Sequence, residues 1–151
     1  MSFFNTLKDK FNAGRDELTK QVGRYKNRAF LEGTVAVCAR IAVASDGVSS
    51  EEKQKMIGFL RASPELSIFE TSEVISFFEK LVTSFSFDME VGKGETMKYI
   101  LALKNKPEQA QLAVRVGIAV AKSDGNFDET EKANAREIIE ALGFRTSEFG
   151  L

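Results

Sequence analysis

Carboxylates are the side chains of this sequence best suited to chemistry, because it contains no histidine and only one cysteine. Without histidine it lacks the usual general base, and without a second cysteine it can form neither an internal disulfide nor a thiolate zinc site. Two Asp-Gly turns stand out, and a glutamate follows each one. These residues are Asp46 with Glu52 and Asp124 with Glu131.

The two aspartates follow segments that are predicted to be helical. The last carbonyls of a helix and the negative end of its dipole favour Lys or Arg, so an aspartate is unfavourable there. A hard cation would make it favourable, since carboxylate and carbonyl oxygens are the ligands that Ca²⁺ and Mg²⁺ prefer, and Mn²⁺ also fits such a site. In the alternative interpretation, Asp46 and Asp124 form Asx turns, while Glu52 and Glu131 cap the following helices.

Two other acidic-site chemistries fit poorly. The segment from Asp124 begins like an EF-hand loop, but Glu129 stands where that loop requires glycine and Ala135 where it requires a bidentate glutamate. A hydrolase with paired carboxylates would need a substrate cleft and an acid of raised pKa, and the sequence marks neither. Near-zero net charge (−1) also argues against nucleic acid as the main partner.

An internal repeat positions the acidic residues. Three segments of the first copy recur in the second: IAVA at 41–44 and 118–121, SDG at 45–47 and 123–125, and EK at 52–53 and 131–132. Each copy has the pattern of an alanine-rich helix, an Asp-Gly turn and a capped helix. We expect the halves, roughly 30–62 and 107–143, to pack against each other around a pseudo-two-fold axis, with small residues letting their first helices approach closely.

The elements that carry this repeat are predicted to be helices throughout. Apolar spacings of three and four dominate, so we expect an all-α fold, a compact bundle of about seven helices. A chain of 151 residues suits one domain with a real core. The first four helices are expected at about 2–28, at 30–45, from the capping box at 49–52 to just before Pro64, and from Thr71 or Ser72 onward. A fifth follows a turn at 87–94. Two more are expected at 107–123 and 128–143, with one more turn after Thr146.

The N-terminal segment, residues 1–28, has its own character. It holds seven Lys/Arg and three Asp/Glu, a local charge of +4, and its first residues include Phe3, Phe4, Leu7 and Phe11. Such a segment can lie on an anionic membrane surface or dock onto a partner. The alternative is an ordinary first helix or a frayed terminus. The sequence shows no signal peptide and no apolar run long enough to span a membrane.

Cys38 lies on a strongly apolar helix. We expect it to be buried and to behave as a small hydrophobic residue, because an apolar environment raises the pKa of a thiol and lowers its reactivity. No second cysteine is present to resolve an oxidised product. A redox role is therefore disfavoured.

The duplicated IAVA, SDG and EK segments, the opening MSFFNTLKDKFNAGRDELTKQVGRYKNRAF and the stretch EGTVAVCARIAVASDGVSSEEKQKMIGFLR resemble the TerB family of tellurite-resistance proteins. The resemblance covers essentially the whole chain. It implies a helical fold with internal pseudosymmetry and a place in a bacterial stress operon that confers resistance to tellurite, some phages and pore-forming colicins. It attaches no certain enzymatic reaction to the chain.

The resemblance also implies divalent-metal binding through acidic residues, within a membrane-associated complex that includes the integral membrane protein TerC and the calcium-binding TerD group. The family's acidic motif falls on Asp46 and Glu52 in the first copy and on Asp124 and Glu131 in the second, with Glu51, Asp128 and Glu129 near enough to substitute. We therefore expect a cytoplasmic, non-enzymatic, metal-binding adaptor in contact with the inner-membrane surface. The alternative is a metal-independent protein–protein scaffold.

Overall fold

The computed structural model describes residues 27–43, 50–62, 69–122 and 127–151, together with Glu17 and Lys20. These ranges hold six α-helices, one 3-10 helix and no strand. The helices are α1 (Arg28–Ala42), α2 (Ser50–Ala62), α3 (Thr71–Phe87), α4 (Met89–Leu101), α5 (Pro107–Lys122) and α6 (Glu129–Ala141), and the 3-10 helix is Thr146–Phe149. The predicted all-α bundle is confirmed. The helix expected over 2–28 lies almost entirely outside the described residues.

Helix α1 forms the centre of the bundle and contacts α3, α4, α5 and α6. It is buried along nearly its whole length, because its side chains are small or apolar and Gly33 packs directly against Leu103. Phe30 and Ile41 are fully buried near its two ends. Each aliphatic or aromatic side chain removed from water in this way contributes roughly 1.5–3 kcal/mol of transfer free energy.

The first helices of the two repeats, α1 and α5, pack against each other as expected. Ala36 and Ala39 on α1 and Ala113 on α5 are fully buried. At Gly117 of α5 the fit is so close that a Cβ atom would lie 2.4 Å from Cγ1 of Val37. Small residues therefore do bring these two backbones together.

The start of α4 corrects the predicted turn at 87–94. The only break is at Asp88, whose backbone is extended and whose side chain accepts hydrogen bonds from the N–H groups of Glu90 and Val91. The helix then begins at Met89. Gly92 lies inside this helix. Glycine is needed there for packing and not for a turn, because a Cβ atom would lie 2.3 Å from the ring of Phe85.

Helix α6 has both of its ends fixed by local motifs. Asp128 is its N-cap. At its other end Gly143 has φ of 84°, and the N–H groups of Gly143 and Phe144 bond to the carbonyls of Glu140 and Ile139. This is a Schellman motif, and it needs glycine at the left-handed position. The turn expected after Thr146 is confirmed as the 3-10 helix.

Candidate metal-binding region

The structure describes only part of the predicted acidic set. Asp46 and Asp124 lie outside the described residues. Glu51 and Glu52 belong to the first turn of α2, but their side chains lie outside the described part of the chain. The described members are Asp128, Glu129 and Glu131, all at the start of α6.

The start of α6 is a capping box. Oδ1 of Asp128 accepts from the N–H of Glu131 at 2.8 Å, and Oε1 of Glu131 accepts from the N–H of Asp128 at 3.2 Å. Glu129 lies 3.3 Å from the ammonium group of Lys132. Acidic groups at this position also interact favourably with the positive end of the helix dipole. The capping role that the sequence offered for Glu131 is thus present.

Within the described ranges, no group of three or more Asp, Glu, His or Cys side chains is arranged to hold a metal ion. Asp128, Glu129 and Glu131 supply three carboxylates at one helix start, and one oxygen of each is already engaged by the capping box or by Lys132. At most three further oxygens are left, fewer than the six to eight that Ca²⁺ takes. A complete site would need carboxylates from the segments 44–49 and 123–126.

The end of α1 differs from its prediction. The helix ends at Ala42 and Val43 is extended, so α1 stops before the expected Ser45 and well before Asp46. The side-chain amide of Asn134 on α6 donates to the carbonyls of Ile41 (3.0 Å) and Val43 (2.9 Å). These carbonyls are among those a helix end leaves unpaired. The end of α1 therefore leaves fewer carbonyls without a donor than the sequence suggested.

Arg40 reinforces this junction. Its side chain is only 3% exposed, and Nη2 bonds to Oε2 of Glu137 on α6 at 2.8 Å, while the Glu137 side chain is 54% exposed. Among the described residues, the buried Nε of Arg40 has no hydrogen-bond partner. A cation in the last turn of α1 favours the negative end of its dipole. Together, Asn134 and the Arg40–Glu137 pair attach the second repeat's α6 to the end of the first repeat's α1.

Sequence reasoning missed both contacts. Asn134 aligns with Lys55 in the first repeat, and Glu137 aligns with Gly58. The sequence does contain one signal for these contacts. On the side of α6 that meets α1, Asn134 and Glu137 differ from the residues at the aligned positions of the first repeat.

Basic side chains adjoin the second acidic turn. Lys122 and Lys132 line a groove of about 420 Å³ with Phe127, Gly150 and Leu151. Nζ of Lys122 lies 5.6 Å from the centre of the Phe127 ring. A cation bound by Asp128 and Glu131 would therefore experience neighbouring ammonium groups, which lowers the affinity that the carboxylates alone would give.

Comparisons with known proteins identify the family. A family model described as "Tellurite resistance protein TerB" matches residues 31–151. The chain is 75% identical over 118 residues to "Tellurium resistance protein TerB" of Alcaligenes sp., an alignment that covers 78% of this chain and 97% of that protein. No solved structure gives a significant match. In the described part of the chain, no helix is long and apolar enough to cross a membrane. The chain belongs to the TerB family of tellurite resistance proteins.

Proposed function

We propose that this tellurite-resistance chain is a non-enzymatic adaptor that binds one divalent cation, Ca²⁺, Mg²⁺ or Mn²⁺, between its two repeats. Its chemistry is ligation by carboxylate oxygens, which these three ions accept. The proposed ligands are Asp46, Glu52, Asp124 and Glu131, with Glu51, Asp128 and Glu129 as possible additions.

The hydrogen bond from Asn134 to Val43 carries the proposal of a single shared site. Asn134 is three residues after Glu131, so both side chains lie on the same side of α6. The first acidic turn leaves α1 at Val43, which Asn134 contacts at 2.9 Å. Asp46 is only three residues further, a length of chain that spans at most about 11 Å. This supports carboxylates from both repeats acting together near the start of α6.

A shared cation would couple the two repeats. Two separate pairs of carboxylates would each offer too few oxygens for tight Ca²⁺ binding, whereas the combined set comes closer to the number required. Binding would draw the two acidic turns together and change the surface offered to partners. An ion acts in this way only if its affinities for the two conformations differ.

The test is an NMR titration of the metal-free chain with Ca²⁺, Mg²⁺ and Mn²⁺. We expect saturable shifts, or broadening with Mn²⁺, at residues 44–53 and 123–132, and their loss in Asp46→Asn/Asp124→Asn. Bound cation should also raise the midpoint of thermal unfolding, because it stabilises the folded state by RT ln(1 + c/Kd), where c is the concentration of free cation.

A second variant separates ligation from capping. Asp128→Asn/Glu131→Gln removes both charges but keeps side chains that can form a capping box. If these carboxylates bind the cation, affinity should fall at least about tenfold while stability without metal changes by less than about 1 kcal/mol. Glu140→Gln, an exposed change elsewhere on α6, is the control. Absence of localised shifts at millimolar cation would refute the metal-binding proposal.

The capping box favours a second candidate, a metal-independent scaffold. In it, Asp128 and Glu131 start the helix, and the acidic turns contact partners directly. Asp46→Asn/Asp124→Asn would then leave the fold intact, and partner binding would not change when a chelator is added. If the chain instead binds a cation that alters its partner surface, adding a chelator should change partner binding.

The family resemblance supports TerC and TerD-group proteins as partners. Residues 1–28, with their charge of +4, supply a basic segment suited to an anionic membrane surface. Co-sedimentation with anionic and neutral vesicles, for the whole chain and for a chain without residues 1–11, tests this contact. Equal binding of both chains to anionic vesicles would exclude residues 1–11 as the membrane contact.

A further inference from the structure

Exposed large apolar side chains are concentrated at α4 and at the end of α3 that precedes it. Among the described residues, three large apolar side chains are clearly exposed: Phe87 (83%), Val91 (43%) and Leu101 (40%). Single exposed apolar residues are normal on any protein. Here all three fall on the end of α3 and on α4, and this concentration in one stretch of chain is typical of an interaction surface.

One side of α4 carries most of this surface, and we define it as the α4 face: Val91, Gly94, Lys98 and Leu101. Spacings of three and four residues place these positions along one side of a helix. The opposite side holds Thr96 and Ile100, which are fully buried. A Cβ built at Gly94 meets no atom within 4 Å, so the middle of the face is open to close approach by another backbone.

The residues around Gly94 are arranged symmetrically in sequence. Glu90 and Lys98 stand four residues before and after it, and they carry opposite charges. Phe87 and Leu101 stand seven residues before and after it, and both are exposed and apolar. The Glu90 side chain is 84% exposed, and its carboxylate lies 3.8 Å from the ammonium group of Lys93 on the same helix. Phe87 is the last residue of α3 and is separated from α4 by the extended Asp88, so on α4 itself the charges of Glu90 and Lys98 carry the symmetry. Because these charges are opposite, α4 is complementary to an identical helix that runs antiparallel to it.

We propose that the α4 face binds the α4 face of a second copy of this chain, with the two-fold axis at Gly94. In this arrangement Glu90 of each copy meets Lys98 of the other, and the Met89 end of α4 in one copy, which Phe87 of α3 precedes, meets the Leu101 end in the other. The contact is isologous, because the same patch is used on both sides. Antiparallel packing also sets opposite ends of the two helix dipoles side by side.

The small area of the α4 face limits the stability of the dimer. A 13-residue helix is about 20 Å long, and one side of it covers far less than the ~800 Å² per partner of a standard stable interface. The dimer is therefore weak and transient in dilute solution. It becomes populated at high concentration, or where another component holds two copies together and raises their effective concentration.

The test uses the whole chain in chelator, so its result does not depend on the proposed cation site. Amide spectra and sedimentation are recorded from about 20 µM to about 1 mM, the range in which a weak dimer forms. We expect concentration-dependent shifts confined to residues 87–101 and a matching rise in sedimentation coefficient.

Charge reversal then tests the arrangement. Lys98→Glu or Glu90→Lys should each weaken association roughly five- to tenfold, since each alters two symmetry-related pairs. The double variant Glu90→Lys/Lys98→Glu should restore it. Glu140→Lys, an exposed reversal on α6, is the control and should have no effect. Concentration-independent spectra, shifts elsewhere, or a double variant no better than the single ones would overturn the proposal.

Discussion

The two repeats share a pattern of small and apolar residues, and within the described ranges the polar contacts between them join α6 to the end of α1. The end of α1 is held by Asn134 and Glu137 of α6. In the reverse direction the aligned positions are Lys55 and Gly58 of α2, and Gly117 of α5 stands where α1 has Arg40. The counterpart of the Arg40–Glu137 ion pair therefore cannot form, because glycine stands at both aligned positions.

Helix α2 has a different neighbour from its counterpart. It contacts α3, where Lys53 lies 3.6 Å from Glu79. The aligned Lys132 instead pairs with Glu129 of its own helix at 3.3 Å. The packing of α1 against α5 thus rests on small and apolar residues, whereas the polar contacts of the outer helices α2 and α6 differ between the two repeats.

The contact at Gly117 should respond most strongly to mutation. Gly117→Val would force carbon atoms into Val37, which is stiff and fully packed, so we expect a loss of about 2–3 kcal/mol. Gly58→Ala is the contrast, because a Cβ there meets no atom and should stabilise α2 by about 0.5–1 kcal/mol. Urea unfolding of both variants measures the difference. Equal effects would contradict the close α1–α5 packing.

Loss of the Arg40–Glu137 ion pair should have the next largest effect on stability. Glu137→Ala leaves the guanidinium of Arg40 buried without its partner, and we expect a loss of about 1–3 kcal/mol, reduced from the fully buried case because Glu137 is half exposed. Glu140→Ala, on the exposed side of α6, should change stability by less than about 0.5 kcal/mol. If the two variants unfold at the same urea concentration, the pair does not hold the repeats together.

Asn134→Ala should cost about 1–2 kcal/mol, since two carbonyls at the end of α1 lose their donor. Asn134→Asp should lower the stability further at neutral pH, because a carboxylate cannot donate a hydrogen bond and meets the negative end of the α1 dipole. The gap between the two variants should narrow as the pH falls and the aspartate gains a proton. Thermal unfolding at several pH values measures this gap, and a constant gap would argue against the capping role.

Thr34→Val should have a smaller effect than the losses above, and of the opposite sign. Thr34 is fully buried in α1, and its hydroxyl has no hydrogen-bond partner among the described residues. Removing an unsatisfied polar group with little change of shape should stabilise the chain by about 1 kcal/mol. Thr83→Val is the control, because that exposed hydroxyl already bonds to the carbonyl of Glu79. An equal stabilisation of both variants would point to a general effect of replacing a helical hydroxyl with a methyl group and not to the buried, unpaired hydroxyl of Thr34.

Local signals predicted much of the fold correctly. Pro107 does begin α5, Asp128 does cap α6, and Cys38 is buried as expected. The turn predicted at 87–94 was wrong because Gly92 is required by packing against Phe85, and a sequence cannot distinguish a packing glycine from a turn glycine.

The candidate site was less predictable than the fold. The capping box at Asp128 and Glu131 was visible, because its members are three residues apart. Asn134 was not, since it acts on carbonyls more than ninety residues away in the chain, and no periodicity encodes such a pair. Whether the carboxylates of both repeats bind one cation stays a prediction.

The sequence separations at the end of α1 also have a consequence for the order in which the chain folds. The three hydrogen bonds that α6 makes there join residues 91, 93 and 97 positions apart. During synthesis on the ribosome, the central helix emerges long before the segment that completes it. Contacts of such high contact order form late, after the entropy of closing a long loop has been overcome. Docking of α6 is therefore expected to be the closing step of folding, and a nascent chain that lacks α6 exposes an unfinished core to chaperones.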